Sequence, residues 1–223
     1  MKRYNYILFD LDGTLVNTKP GIIDSLRHTF QEFEIDTDTT DVRQFIGPPL
    51  MNSLVDIVRI ETGKASMMVS EFRRHYVENG VLNASLYDGV VDMLDILRTI
   101  GYKLIIATSK PLTFTNILLE YFNIMHYFSY VSASDIAQTF DPKQRIIEVA
   151  LDKCTIKDFN ETVMIGDRGH DVTAAKNIGI AAIGVLYGYG DRKELEEAGA
   201  DYIVDNIHEL TGILTPSLYT TSS

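Results

Sequence analysis

The feature that most constrains this chain is a set of short apolar runs that do not alternate with polar residues. Tyr6-Ile7-Leu8-Phe9, Lys103-Leu104-Ile105-Ile106-Ala107-Thr108, Val163-Met164-Ile165-Gly166-Asp167, Ala181-Ala182-Ile183-Gly184-Val185 and Tyr202-Ile203-Val204 each read as one strand, and Tyr130-Val131-Ser132 is a weaker sixth. A strand with one wet face alternates. Continuous apolar runs fit strands covered on both faces, as in a parallel sheet. Helical stripes lie between them: Val90, Val91, Leu94, Leu97 and Ile100; Ile117, Leu118, Tyr121 and Phe122; Ile146, Ile147, Ala150 and Leu151; Val172, Ala175 and Ile178. Gly101 and Gly179 follow two of these stripes as helix stops. The alternation from Val90 onward predicts an α/β fold built on a doubly wound parallel sheet.

Residues 17–84 break that alternation. Ile22, Ile23, Leu26, Phe30 and Phe33 form one helical stripe, Leu50, Leu54, Ile57 and Val58 a second, and Val69, Phe72 and Tyr76 a third, with no convincing strand. Gly47-Pro48-Pro49 must interrupt the helix between the first two. The expected organisation is an α/β core of residues 1–16 and 85–215, an all-helical insert at 17–84, and a polar, frayed tail at 216–223.

In an open parallel sheet, ligands gather at the carboxyl ends of the strands. Three of the predicted strands run out at Asp10, Thr108 and Asp167. Carboxylates brought together there repel one another unless a cation is shared among them, and oxygen donors without Cys or His suit Mg²⁺. Asp10 and Asp12 are separated by one residue, and Gly13 makes a sharp turn inexpensive, so both acids can face one ligand. One carboxylate could then attack while the other handles protons. A bare Asp-x-Asp also fits a turn that caps the next helix.

Asp10-Leu11-Asp12-Gly13-Thr14-Leu15 after an apolar strand resembles the first motif of the haloacid dehalogenase superfamily. Thr108-Ser109, Lys143 and Gly166-Asp167-Arg168-Gly169-His170-Asp171 follow in the order of that family's other motifs, and the resemblance covers nearly the whole chain. It implies a Rossmann-like core carrying a helical cap that closes over the site and holds the non-phosphate part of a substrate. It implies that Asp10 is the nucleophile that takes a phosphoryl group, and that Asp12 protonates the leaving oxygen and later helps activate water. Thr108, Ser109 and Lys143 would bind phosphate, with Lys110 the competitor for the lysine role. Asp10, Asp12 through its main-chain carbonyl, and Asp167 would bind Mg²⁺, supported by Asp171, which also suits the N-terminus of a helix. Backbone donors of the Asp12–Thr14 turn would help neutralise the phosphate.

Within the insert, Ile46-Gly47-Pro48-Pro49-Leu50 resembles the cap loop of phosphoglycolate phosphatases and related nucleotidases. Arg43, Arg59, Arg73 and Arg74 are candidate anion contacts. The glycines of Gly184-Val185-Leu186-Tyr187-Gly188-Tyr189-Gly190 read as turn residues, since their spacing does not match a phosphate-cradling loop. Asn17-Thr18, where many relatives have Asp-Ser, and Lys143-Gln144 after Pro142 depart from the family pattern.

The 223 residues carry 20 Lys and Arg against 31 Asp and Glu, a net charge of −11. That balance argues against a nucleic-acid polymer or an anionic membrane as partner, while leaving room for a small anion bound by a few local cations. The one cysteine, Cys154, permits no internal disulfide and reads as a buried or half-buried filler, which fits a cytoplasmic protein. No run is long enough for a membrane span. The resemblance implies a phosphatase of small-molecule phosphate esters, phosphoglycolate and 5′-nucleotides first and pyrophosphate behind, acting as monomer or homodimer. A sugar-phosphate mutase and a non-catalytic phosphate-binding module are the alternatives.

Overall fold

The computed structural model describes residues 4–36, 45–46, 50–135 and 142–215. Gly47-Pro48-Pro49, Arg43 and the tail at 216–223 lie outside the described residues. By its internal contacts the chain divides into two units, Met1–Val16 with Leu86–Ser223, and Asn17–Ser85.

The first unit is built on six strands: β1 (Tyr6–Phe9), β4 (Lys103–Pro111), β5 (Phe128–Ser134), β6 (Thr162–Gly166), β7 (Ala181–Val185) and β8 (Tyr202–Val204). They pair in the order β5-β4-β1-β6-β7-β8, and every pairing is parallel. From β1 the chain moves outward through β4 to β5. It then returns to the other side of β1 for β6 and moves outward again, so the order reverses between β1 and β6. That reversal leaves a crevice at the carboxyl ends of these two strands. Ile7, Leu8 and Phe9 of β1 and Val163, Met164 and Ile165 of β6 are buried throughout, as expected of strands covered on both faces.

Helices α4 (Val90–Ile100), α5 (Leu112–Tyr121), α6 (Lys143–Lys153), α7 (Gly169–Ile178), α8 (Arg192–Glu197) and α9 (Ile207–Leu214) belong to this unit. On one face of the sheet, Ile146, Ile147, Ala150 and Leu151 of α6 and Val172 and Ala175 of α7 pack with Leu8, Ile105 and Met164. Cys154, at the end of α6, is a half-buried free thiol against the same core. Gly101 and Gly179 end their helices at φ +95° and +90°, the left-handed conformation that glycine adopts without strain.

The second unit holds α1 (Lys19–Glu32), α2 (Leu50–Asp56) and α3 (Thr62–His75), which runs into one π-helical turn at Tyr76–Gly80. Leu26, Phe30, Phe45, Leu54, Ile60, Ala65 and Met68 form its own core. The sequence reading has no strand where the chain passes between the units. The structure has two, β2 (Val16–Asn17) and β3 (Ser85–Leu86), which pair with each other. Two-residue strands are too short to produce a period.

Candidate active site

Asp10 is the first residue past β1. Its N–H donates to the Ile165 carbonyl of β6 at 2.9 Å, so sheet hydrogen bonding continues up to the residue that carries the carboxylate. Asp167 is the first residue past β6, and Phe9 pairs with Ile165 in register, which brings the two acids to the same sheet edge. Asp171 lies in the first turn of α7, where its Oδ2 accepts the Arg168 N–H at 3.1 Å. Asp10, Asp167 and Asp171 are 6, 0 and 0% exposed, and one oxygen from each lies within 4.8 Å of the others.

Three buried carboxylates at this spacing need compensation. Lys143, the first residue of α6, supplies part of it: its Nζ lies 2.8 Å from Asp10 Oδ1 and 2.7 Å from Asp171 Oδ1. A cation at a helix N-terminus opposes the helix dipole, so these two carboxylates must hold it there. Burial works against the lysine's charge, but Asp10 and Asp171 outweigh it and raise its pKa. Burial likewise works against the charge on Asp171, and Lys143 followed by His170 overcomes it, so this carboxyl titrates below its usual range. At Asp10 burial prevails over the pull of Lys143, and the pKa rises. No lysine pairs with Asp167 among the described residues. Burial, then the charges of Asp171 and Asp10, push its pKa well above the usual carboxylate value. Its Oδ2 accepts the Tyr189 N–H at 2.7 Å. Its buried Oδ1 has no hydrogen-bond partner among the described residues.

This is the arrangement that a divalent cation relieves. Negative charge exceeds positive, Asp167 Oδ1 is left with neither a hydrogen bond nor the lysine that Asp10 and Asp171 share, and every donor is a hard oxygen. Asp10, Asp167 and Asp171 therefore fit a divalent metal.

Asp12 stands apart from that triad. Its Oδ2 takes Lys110 Nζ at 2.9 Å, and the lysine side chain is only 5% exposed. The two lysines that compete for one role in the sequence are thus both at the site, Lys143 on Asp10 and Asp171, and Lys110 on Asp12. Lys110 reaches Asp12 because β4 continues to Pro111, three residues past the predicted end at Thr108. Gly13 turns at φ +81°, and a Cβ there would lie 2.1 Å from Asp167 Oδ2, so both conformation and space demand glycine. The N–H groups of Gly13 and Thr14, expected to face phosphate, instead donate to Val16 and Leu11 carbonyls within the turn. Thr108 is buried within β4, its Oγ1 accepting the Lys110 N–H at 3.2 Å. Ser109 is exposed, and its carbonyl accepts the Ser134 hydroxyl at 2.8 Å.

Of the arginines singled out in the helical unit, Arg74 is committed to Glu71 and Glu78, while Arg59 is exposed at φ +63° and Arg73 is half-buried. Sequence reasoning missed the contact of residues 187–190 with Asp167. The glycine spacing around Tyr187 is the signal that could have located it.

Residues 7–185 match the sequence profile described as haloacid dehalogenase-like hydrolase. A 5′-nucleotidase from Pseudomonas aeruginosa is 34% identical over 194 residues, covering 86% of this chain and 87% of the relative. A pyrophosphatase PpaX from Halalkalibacterium halodurans is 30% identical over 211 residues, covering 94% and 96%. Among solved structures, a predicted phosphatase from Clostridium acetobutylicum superposes with a TM-score of 0.89 at 34% identity, covering 96% of this chain and 99% of the other. A haloacid dehalogenase-like hydrolase from Streptococcus pneumoniae superposes with a TM-score of 0.86 at 28% identity, covering 94% and 98%. Given this agreement along the length of the sequence and the fold, the chain belongs to the haloacid dehalogenase-like hydrolase family and is one of its enzymes.

Proposed function

We propose that the chain is a magnesium-dependent phosphatase that removes phosphate from a small phosphate ester through an aspartyl-phosphate on Asp10. The observation that carries this reading is the buried group of Asp10, Asp167 and Asp171 with Lys143 Nζ 2.8 Å from Asp10. A carboxylate can attack an anionic phosphate only where the charge of both is compensated. On this reading an Asp10 oxygen bonds to phosphorus as the ester P–O bond breaks, and Asp12 gives its proton to the leaving oxygen. Asp12 then takes a proton from the water that cleaves the acyl phosphate, releasing inorganic phosphate and restoring Asp10. Lys110 Nζ, 2.9 Å from Oδ2, positions the Asp12 carboxyl group for both transfers. Thr108, Ser109 and Lys143 bind the phosphoryl oxygens. Asp10, Asp167 and the Asp12 carbonyl hold Mg²⁺, with Asp171 in support. The chemistry a bound Mg²⁺ supplies is neutralisation of the phosphoryl oxygens.

The names carried by the relatives, 5′-nucleotidase and pyrophosphatase PpaX, support small phosphate esters and anhydrides as the substrate class. Phosphoglycolate and 5′-nucleotides lead, and pyrophosphate is the second reading. The helical unit Asn17–Ser85 is taken as the part that selects among them. No helix among the described residues is long and apolar enough to cross a membrane, and a cytoplasmic metabolite phosphatase is the setting inferred. The test is phosphate release from a panel of phosphoglycolate, 5′-nucleotides, sugar phosphates and pyrophosphate, with and without Mg²⁺. Mg²⁺-dependent release of phosphate, lost in Asp10→Asn, is expected. Isomerised sugar phosphate without free phosphate would replace this reading with a mutase, and binding without turnover would replace it with a non-catalytic module.

A further inference from the structure

The run at residues 184–190, which the sequence presents as a glycine-rich turn, wraps Asp167. A Cβ added to Gly188 would lie 2.3 Å from Asp167 Cβ, 2.6 Å from its Oδ2 and 2.4 Å from the Gly13 carbonyl oxygen. A Cβ on Gly190 would lie 2.1 Å from the Asp167 carbonyl oxygen. Neither glycine has a positive φ, so what they provide is close approach rather than a special backbone conformation. Through that gap the Tyr189 N–H reaches Asp167 Oδ2 at 2.7 Å. Next to it, the Tyr187 hydroxyl donates to the Thr14 carbonyl at 3.0 Å, fastening the loop to the turn that carries Asp12. Tyr87 braces the Tyr187 ring edge-to-face, with ring centroids 4.9 Å apart.

We infer that residues 187–190 set the metal geometry of the site: the Tyr189 N–H occupies Asp167 Oδ2 and leaves Oδ1 as the one oxygen offered to the cation, while Tyr187 is a positioning residue that locks the Asp12–Thr14 turn against it. The inference rests on the cation-dependent reading above. Two independent observations meet in it, the close backbone approach at Gly188 and Gly190, and the orphaned, buried Oδ1 that remains once Oδ2 is occupied. Mg²⁺ demands near-ideal octahedral geometry, so an aspartate fixed to one oxygen and one orientation favours it over larger cations that accept two-oxygen ligation.

The test uses the whole chain and reads Mg²⁺ binding from the rise in melting temperature along an Mg²⁺ titration, with Ca²⁺ alongside. Tyr187→Phe keeps the ring against Tyr87 and removes only the hydroxyl. It is expected to weaken Mg²⁺ binding by about tenfold, the low end for loss of an outer partner of a ligand, because it acts through the turn that carries Asp12, and to weaken Ca²⁺ binding less. Tyr102→Phe is the matched control, because the Tyr102 hydroxyl donates to the Leu214 carbonyl at 2.7 Å in the same unit. It should lower the metal-free melting temperature by a similar amount and leave Mg²⁺ binding unchanged. Gly188→Ala, which drives a methyl into Asp167, should lose Mg²⁺ binding more completely than Tyr187→Phe. Wild-type Mg²⁺ affinity in Tyr187→Phe, or an equal loss in Tyr102→Phe, would overturn the inference. Intact Mg²⁺ binding in the wild type without phosphate release would overturn the phosphatase reading alone. No Mg²⁺ effect on the wild type would overturn both.

Discussion

Lys143 and Lys110 divide the site's positive charge, and the division sets different expectations for each. Lys143 is buried between Asp10 and Asp171, so removing it leaves two carboxylates uncompensated in the interior. Lys143→Met should lose activity and lower metal-free stability by about 3–5 kcal/mol in urea unfolding, with Mg²⁺ restoring part of the loss. Lys110 pairs with Asp12. Lys110→Met should lower kcat by about a hundredfold and move KM little, since the disturbed group is the proton carrier rather than a phosphate contact. Asp167 behaves in the opposite sense. Its charge is opposed by burial and by two neighbouring carboxylates, so Asp167→Asn should raise the metal-free melting temperature, by about 2–4 °C for each kcal/mol relieved, while Mg²⁺ no longer raises it. A fall in metal-free stability would show that Asp167 is already compensated without a cation. At this scale the meeting of Asp10 and Asp167 at one sheet edge was legible, because each follows directly on an apolar run that reads as a buried strand. The partner of Lys110 was not, because it depends on where β4 stops.

The elements that sequence reading located best are those whose pattern comes from burial. Tyr6-Ile7-Leu8-Phe9 and Ala181-Ala182-Ile183-Gly184-Val185 are strands with the expected limits, since a fully covered strand has no polar residue to blur its ends. Strand β5 extends from Phe128 to Ser134, beyond Tyr130–Ser132: Phe128, Ala133 and Ser134 also pair with β4, while the register shift between Leu104 and Ile105 skips Ser129, whose polar side chain interrupts the apolar run. Helix α8 is mostly charged and carries one buried residue, Leu195, too little for a stripe. The stop at Gly179 was legible, and its physical role is testable. Its φ is +90° and nothing lies within 4 Å of an added Cβ, so Gly179→Ala introduces backbone strain alone. That should cost about 1–2 kcal/mol, read as a drop of a few degrees in melting temperature, with kcat unchanged. A change in kcat would mean that α7 carries its strain to Asp171.

For the molecule as a whole, a parallel sheet reverses its order between β1 and β6, and the acids that the sequence spaces 157 residues apart meet at that point. The site holds more negative charge than its lysines cancel, on a chain whose net charge is −11, so phosphate binding depends on local compensation rather than on the overall field. The central claim is a covalent phosphate on Asp10. It is tested by acid-quenching the enzyme during turnover of a ³²P-labelled phosphate ester and mapping the label by peptide digestion. The account predicts Mg²⁺-dependent, hydroxylamine-labile label on the peptide that contains Asp10, and none in Asp10→Asn. Steady phosphate release with no label on that peptide, or with label on another, would contradict it.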